Sequence, residues 1–435
     1  PPAAAAALSL QHPARRRGAQ QRSNVVLAAG RMPLPCGSLV ALATPMMPDG
    51  SLDVGTLRAV LQWHKAEGTD GIVILGTTGE ASTLTYEEKE EVMTVTREEL
   101  GGSIPIVVGT GTISTEATIS ATKQAQRLGA DAALVVTPYY VKPSQAGLAA
   151  HFTAVADACE VPLVLYNVPG RTGVDLSVET TVTLARHPKI VGLKDATGDN
   201  TRVGPMRTLC GDDFKLYSGE DAMARDYVLQ GGDGVISVTA NVAPGAVAKV
   251  MAMAKAGDGA GADKLDSTLA GLHRDLFCEA NPIPVKWALA RMGKTASGIR
   301  LPLVELNANF HSRLEAALQA GGCIEGVAGA SGGTSAGPDD SWPAQEILLQ
   351  GHLFDSGLIN QVLELIENRG GDFLILNFSA QPNDQRTEFN MRRKSSVNLK
   401  IFGADKEALA DLIKRVKMLV SVMESADGEL TEVKN

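Results

Sequence analysis

Eight short, β-branched runs recur between residues 38 and 239, and they leave this chain few folds to choose from. They are Ser38–Thr44, Gly71–Gly76, Pro105–Gly111, Ala132–Tyr139, Pro162–Asn167, Ile190–Ala196, Phe214–Gly219 and Gly234–Thr239. Each is nearly continuously apolar rather than alternating, which is the pattern of parallel strands covered on both faces. Between them lie stretches of helical period, such as Leu57, Val60, Leu61 and His64, or Thr118, Ile119, Thr122 and Gln126. Parallel strands need crossover connections, so eight similar strand–helix units predict an α/β protein built on a (β/α)8 TIM barrel. An open doubly wound sheet competes less well. Eight similar units leave no obvious edge strand, and no G-x-G-x-x-G follows the first run.

The barrel is assigned to residues 32–243. Residues 244–320 read as a purely helical extension of it, with Ala246, Val247, Val250 and Met251, then Leu265, Leu269, Leu272 and Leu276, at helical spacing. Residues 321–342 are rich in Gly, Ser and Ala and read as a flexible linker. Beyond it the pattern changes to strand (Gln345–Leu353), helix (Ser356–Asn368), two strands (Asp372–Phe378 and Ser396–Phe402) and helix (Asp405–Leu419). A last strand over Glu429–Val433 is weakly signalled. The order predicts a small α+β ferredoxin-like domain over 343–435. Trp342, Leu374, Leu376 and Phe378 are expected in its core.

The first 48 residues contain no acid, and residues 1–31 hold Ala3–Ala7, Arg15–Arg17, Arg22 and Arg31. That composition is expected of an organelle transit peptide rather than a tail with no address. The localisation expected is chloroplast or plastid, and otherwise soluble cytoplasmic. Without those five arginines the chain has 35 basic against 49 acidic residues, a net charge of −14. So acidic a body gives no support for nucleic-acid binding. No apolar run approaches a membrane span. The five cysteines are scattered, with no C-x-x-C pair, which argues against a disulfide framework or a zinc site and fits a reducing compartment.

In a barrel, chemistry is placed at the C-terminal ends of the strands. Lys194 sits there, inside the apolar run Ile190–Gly198. A lysine so placed must pair with a carboxylate, for which Asp195 is adjacent, or stay neutral, because an uncompensated buried ammonium is costly. A neutral lysine is a nucleophile suited to carbonyl chemistry through a Schiff base. The other strand mouths supply Gly76-Thr77-Thr78-Gly79-Glu80, Pro138-Tyr139-Tyr140, Tyr166-Asn167-Val168-Pro169-Gly170-Arg171-Thr172 and Ser218-Gly219-Glu220-Asp221. Glycines and hydroxyls can hold a small carboxylate, and tyrosines can pass protons. Arg171 can grip a second carboxylate through two parallel hydrogen bonds. Taken singly, each tyrosine is better read as rim packing, and Arg171 could be a surface ion pair. The seven histidines are dispersed, so no metal ligand set is expected. The set points to aldol-type condensation or cleavage through a lysine Schiff base.

Five motifs, in order, resemble the dihydrodipicolinate synthase (4-hydroxy-tetrahydrodipicolinate synthase) family. They are Gly76–Glu80, Thr137–Tyr140, Tyr166–Gly173, Gly192–Thr197 and Asn281-Pro-Ile-Pro-Val-Lys286, and the resemblance spans roughly Gly37 to Leu318. It implies that Lys194 forms a Schiff base with pyruvate and that the resulting enamine attacks L-aspartate 4-semialdehyde. Cyclisation would then expel the lysine. It further implies a proton relay of Tyr166, Thr78 and Tyr140, the last reaching into a neighbouring subunit's site. Thr77 and Thr78 would hold the pyruvate carboxylate and Arg171 that of the semialdehyde. Gly219 and Ile236 would line the pocket through backbone groups. No cofactor is implied, and the shared tyrosine implies a homo-oligomer, typically a dimer of dimers. N-acetylneuraminate lyases and 2-keto-3-deoxy sugar-acid aldolases share the lysine and tyrosine chemistry. The turn at Arg171 and the Asn281–Lys286 segment favour the synthase.

In such synthases lysine often inhibits by binding polar residues at the dimer interface. Here those positions match Tyr86, Lys89, Ile113 and Ala117, and only Tyr139 keeps its type. Lys89 would repel the lysine ammonium, and the lost acid removes its partner, so weak or absent inhibition at this site is expected. Gly351–Ile359 and Gly370-Gly-Asp-Phe373 resemble the ACT-like conserved region of lysine-ketoglutarate reductase/saccharopine dehydrogenase-type proteins. That module is expected either to sense an amino-acid effector or to serve oligomerisation.

Overall fold

The computed structural model describes residues 32–325, 343–351, 358–367, 369, 371–379, 395–422 and 429–432. It comprises two compact units that divide between Gly326 and Val327. The arginine-rich leader, the linker from residue 326 to Trp342, residues 352–357 and Gly370 lie outside the described residues.

In the first unit, β1 (Gly37–Ala41), β2 (Gly71–Ile74), β3 (Ile106–Gly109), β4 (Ala132–Val136), β5 (Leu163–Asn167), β6 (Ile190–Asp195), β7 (Lys215–Ser218) and β8 (Gly234–Ser237) pair in sequence order. All pairs are parallel, and β8 returns to β1 with Leu39 opposite Ile236, closing the barrel. The runs were continuously apolar because alternate residues serve different layers. Leu39, Val73, Val107, Leu134, Val164 and Tyr217 point into the barrel. Their neighbours Val40, Ile72, Val108, Val135, Leu165 and Leu216 pack outward under the helices. Tyr217 is fully buried, and its hydroxyl donates to the Pro35 carbonyl at 2.6 Å beneath the barrel. Close by in the chain, the Met32 amide donates to Asp131 Oδ1 at 2.7 Å, and the other oxygen of that carboxylate takes the Ile106 amide.

The outer ring is α1 (Val54–Ala66), α2 (Tyr86–Leu100), α3 (Thr115–Arg127), α4 (Gln145–Ala158), the one-turn α5 (Pro169–Thr172), α6 (Val178–Leu184), α7 (Val203–Cys210), α8 (Ala224–Leu229) and α9 (Pro244–Lys255). Their starts are set locally. Thr85 and Glu88 form a reciprocal capping box, while Ser114, Ser144 and Ser177 each accept a first-turn amide. Because α9 packs on β1 and β8, it completes the ring, and the helices outside the ring are α10 (Gly259–Asp275), α11 (Ile283–Arg291) and α12 (His311–Ala320). The extension is not purely helical. Residues 294–307 are irregular because Arg300 ties the chain elsewhere, donating to the carbonyls of Gly50 and Thr83 and to the Glu88 carboxylate.

The second unit consists of β9 (Ala344–Gly351), α13 (Leu358–Glu367), β10 (Asp372–Ser379), β11 (Ser395–Phe402), α14 (Lys406–Val422) and β12 (Glu429–Glu432). Its antiparallel sheet has the order β10-β11-β9-β12. Ile347, Leu349, Val397, Leu399 and Ile401 face the helices' Val362, Ile366, Leu412 and Val416. Leu374 and Leu376 do not join this core. They are 54% and 41% exposed, because their alternation puts them on the sheet face away from the helices.

Candidate active site

Lys194 is 6% exposed at the C-terminal end of β6, paired in register with Tyr166 on β5 and Tyr217 on β7. Its ammonium nitrogen lies 4.5 Å from the centroid of the Tyr166 ring. Asp195, the adjacent acid, does not pair with it. Strand alternation sends Asp195 outward, where its carboxylate lies 3.2 Å from Arg202 Nε and 3.5 Å from the Asn167 amide. Burial pushes the Asp195 carboxyl up, against the pull of Arg202. Among the described residues no hydrogen bond or ion pair engages the Lys194 ammonium. Gly219, just past β7, gives the lysine its room. A Cβ on Gly219 would lie 2.6 Å from Ala196 Cβ and 3.1 Å from Lys194 Cε. Ile236 joins Tyr166 and Ala196 in the interior cluster.

The loop after β2 is held tightly. A Cβ on Gly79 would meet the Leu75 amide at 3.1 Å and the Leu42 carbonyl at 3.2 Å, while the Thr44 hydroxyl donates to the Gly79 carbonyl at 2.8 Å. Glu80 sits at φ +52°, is 3% exposed, and pairs with the buried ammonium of Lys286 on α11. Burial pushes the Lys286 ammonium down, with Glu80 opposing. Within this loop Thr78 is buried and Thr77 exposed. The Asn281 side-chain amide donates to Thr78 Oγ1 at 3.0 Å, and the Asn281 carbonyl accepts from Arg171 Nη2 at 3.3 Å. A three-loop chain Thr78–Asn281–Arg171 results, and Asn281 Oδ1 is left buried without a partner.

Tyr140 is not drawn in. It follows β4 at φ +69° and is 87% exposed, a backbone conformation costly for a residue with a side chain. Tyr139, Val141, Ile113 and Tyr86 are exposed as well. The structure thus gathers Lys194, Tyr166, Gly219 and Ile236 in the barrel interior and links Thr78 to Arg171. Thr77 and Tyr140 stand at the rim. Two residues given no role from sequence belong here. Asn281 lay inside a quoted motif, and its tie to a loop 203 residues away carries no local signal. Glu220 lay in a quoted strand mouth, but sequence does not say which of the Glu220 and Asp221 carboxylates is held by partners on and just after β8, and which is left without one among the described residues. Among the described residues no group of three or more His, Cys, Asp or Glu could hold a metal ion, and no helix is long and apolar enough to cross a membrane. A buried amine with no hydrogen-bond or ion-pair partner among the described residues, beside a phenol ring, can form and hydrolyse an imine with a small keto acid.

Residues 34–321 match the family described as the Dihydrodipicolinate synthetase family, and residues 344–435 match the LOR/SDH bifunctional enzyme conserved region. A 4-hydroxy-tetrahydrodipicolinate synthase from Azoarcus sp. (strain BH72) is 52% identical, over 66% of this chain and 98% of its own length. One from Methylococcus capsulatus is 51% identical, over 66% of this chain and 99% of its own length. Among solved structures, the dihydrodipicolinate synthase of Acinetobacter baumannii, complexed with pyruvate, superposes with a TM-score of 0.66 at 51% identity. That match covers 66% of this chain and 99% of that one.

Proposed function

Because the chain belongs to the dihydrodipicolinate synthetase family, we propose a course for its reaction in which Lys194 is the nucleophile. The reaction condenses pyruvate with L-aspartate 4-semialdehyde to 4-hydroxy-tetrahydrodipicolinate, the first committed step of the diaminopimelate route to lysine. The Lys194 amine adds to the pyruvate carbonyl and water leaves, giving an imine. Loss of a methyl proton gives the enamine, whose carbon attacks the aldehyde and forms the new C–C bond. The semialdehyde nitrogen then closes on the imine carbon and Lys194 departs. Tyr166, Thr78 and Tyr140 pass the protons, with Tyr140 supplied by a neighbouring subunit. Thr77 and Thr78 hold the pyruvate carboxylate, and Arg171 that of the semialdehyde. Gly219 and Ile236 shape the pocket.

The carrying observation is the buried Lys194 with no carboxylate partner, set against Tyr166 and the bare Gly219. Treating the protein with pyruvate and borohydride is expected to add one reduced pyruvate to Lys194, and Lys194→Ala to abolish the adduct. No adduct on the unaltered chain would end this mechanism.

The exposed Tyr140, Tyr139 and Val141 support a tight dimer in which the tyrosine crosses between sites, paired again into a dimer of dimers. The acid-free, arginine-rich leader supports delivery to a plastid. For the C-terminal module, an amino-acid effector site and an oligomerisation surface are both consistent with its likeness to the LOR/SDH region.

A further inference from the structure

We propose that Glu220 binds the α-ammonium group of the semialdehyde and takes its proton before ring closure. The inference rests on the reading of Lys194 as the Schiff-base lysine.

The substrate poses the need. L-Aspartate 4-semialdehyde brings three groups: an aldehyde for the enamine, a carboxylate for Arg171, and an ammonium. That nitrogen must later attack the imine carbon, and an ammonium has no lone pair to do so. Charge gives the same answer, since pyruvate carries −1, the zwitterionic semialdehyde 0 and the cyclic product −2. One proton must therefore leave, and the ammonium is its source. The site needs an anionic acceptor within reach of Lys194.

Of the acids around this mouth, three are engaged elsewhere, Glu80 among them through its pair with Lys286. Asp221 accepts from the Ser237 hydroxyl and from the amides of Val238 and Thr239. Asp195 faces Arg202 and Asn167. Glu220 is half-buried, and among the described residues no hydrogen bond or ion pair reaches its carboxylate. It directly follows Gly219, where an added Cβ would lie 3.1 Å from Lys194 Cε. Its own backbone is fixed, because the Ser218 hydroxyl accepts from the Glu220 amide at 3.1 Å and donates to the Glu220 carbonyl at 3.0 Å. Burial and the neighbouring Asp221 push the Glu220 carboxyl above its ordinary value, Asp195 adds to this, and Lys194 and Arg171 oppose it. The net upward shift makes Glu220 a stronger base than a solvated glutamate.

The chemistry balances. The Glu220 carboxylate removes one proton from the ammonium once the C–C bond has formed. The freed amine adds to the imine carbon, closing a six-membered ring and giving a carbon that bears both nitrogens. A proton passes from the ring nitrogen to the Lys194 nitrogen, the bond to Lys194 breaks, and the ring C=N forms. Glu220 then releases its proton to solvent.

The test uses the full chain with Glu220→Gln and Glu220→Asp. Glu220→Gln is expected to raise the semialdehyde KM about tenfold or more and to lower kcat, because a hydrogen bond between charged groups is lost. The pyruvate KM and borohydride trapping on Lys194 should stay unchanged, which also reports an intact fold. Succinate semialdehyde, the same aldehyde without the amino group, should inhibit the variant and the parent equally. The parent's kcat/KM for the semialdehyde should fall on the acid side at a higher pH than an ordinary glutamate would give. Glu220→Gln should lose that limb and Glu220→Asp should keep it. An unchanged semialdehyde KM, or equal weakening of succinate semialdehyde, would overturn the proposal. Loss of trapping in Glu220→Gln alone would overturn it too, by placing Glu220 in imine formation. Absence of trapping in the parent would instead strike the reading of Lys194.

Discussion

Gly219 matters for what it lacks. Any side chain there meets Ala196 Cβ at 2.6 Å and Lys194 Cε at 3.1 Å, and neither the strand nor the buried lysine stem can withdraw cheaply. Gly219→Ala is therefore expected to push the Lys194 nitrogen out of line, lowering kcat about 100-fold while the chain still folds. Single-turnover trapping of pyruvate, compared with the thermal midpoint, checks this. An adduct formed at the parent's rate would refute the crowding argument. The burial of Lys194 was legible from its sequence, since only an interior strand strings Ile190, Val191 and Leu193 together. Which neighbouring acid it avoids was not. Strand alternation turns Asp195 away from the barrel interior, and the loop carboxylates Glu220 and Asp221 are sorted by partners on β8 that no local pattern reveals.

Among the elements, the loop after β2 and helix α11 are joined by the pair Glu80–Lys286, with side-chain exposures of 1% and 4%. The Arg300 amide donates to the second Glu80 oxygen at 3.1 Å, so one carboxylate ties a strand loop, a helix and the irregular stretch beyond it. Lys286→Met leaves Glu80 buried and uncompensated, with an expected loss of about 3–5 kcal/mol, read from urea unfolding. Adding Glu80→Gln should recover part of that loss. A single variant as stable as the parent would show that the pair contributes nothing. The same cross-links explain why residues 294–307 depart from the helix expected throughout the extension. Its leucine spacing is genuine in α10, but at Gly298 the backbone packs so closely that a Cβ would fall 2.1 Å from the Met47 carbonyl. Helical periodicity reports a local preference, and here a contact some 250 residues away along the chain overrides it. In β10, likewise, period two was legible, but which face the helices cover was not. Leu374 and Leu376 fell on the other one.

At the scale of the whole molecule, the barrel was the most legible part, because eight doubly buried parallel strands have few other arrangements. Regulation follows from the rim. Lys89 is a cation whose burial pushes its ammonium down, and Ile113 and Ala117 offer no acid. Millimolar lysine is therefore expected to leave the activity of a chain ended after Gly321 unchanged. Inhibition of that shortened chain at low-micromolar lysine, measured by a coupled assay, would contradict the expectation; inhibition of the full chain alone would assign it to the C-terminal module. One consequence reaches back to the leader. Met32 and Pro35 are stitched to Asp131 and to Tyr217, the residue beside Lys194. Any shortening of the chain from its N-terminal side therefore meets a structural stop at Met32. A cut upstream of Met32 spares both hydrogen bonds, whereas trimming into Gly37 would strip a buried phenol of its acceptor on the strand beside Lys194.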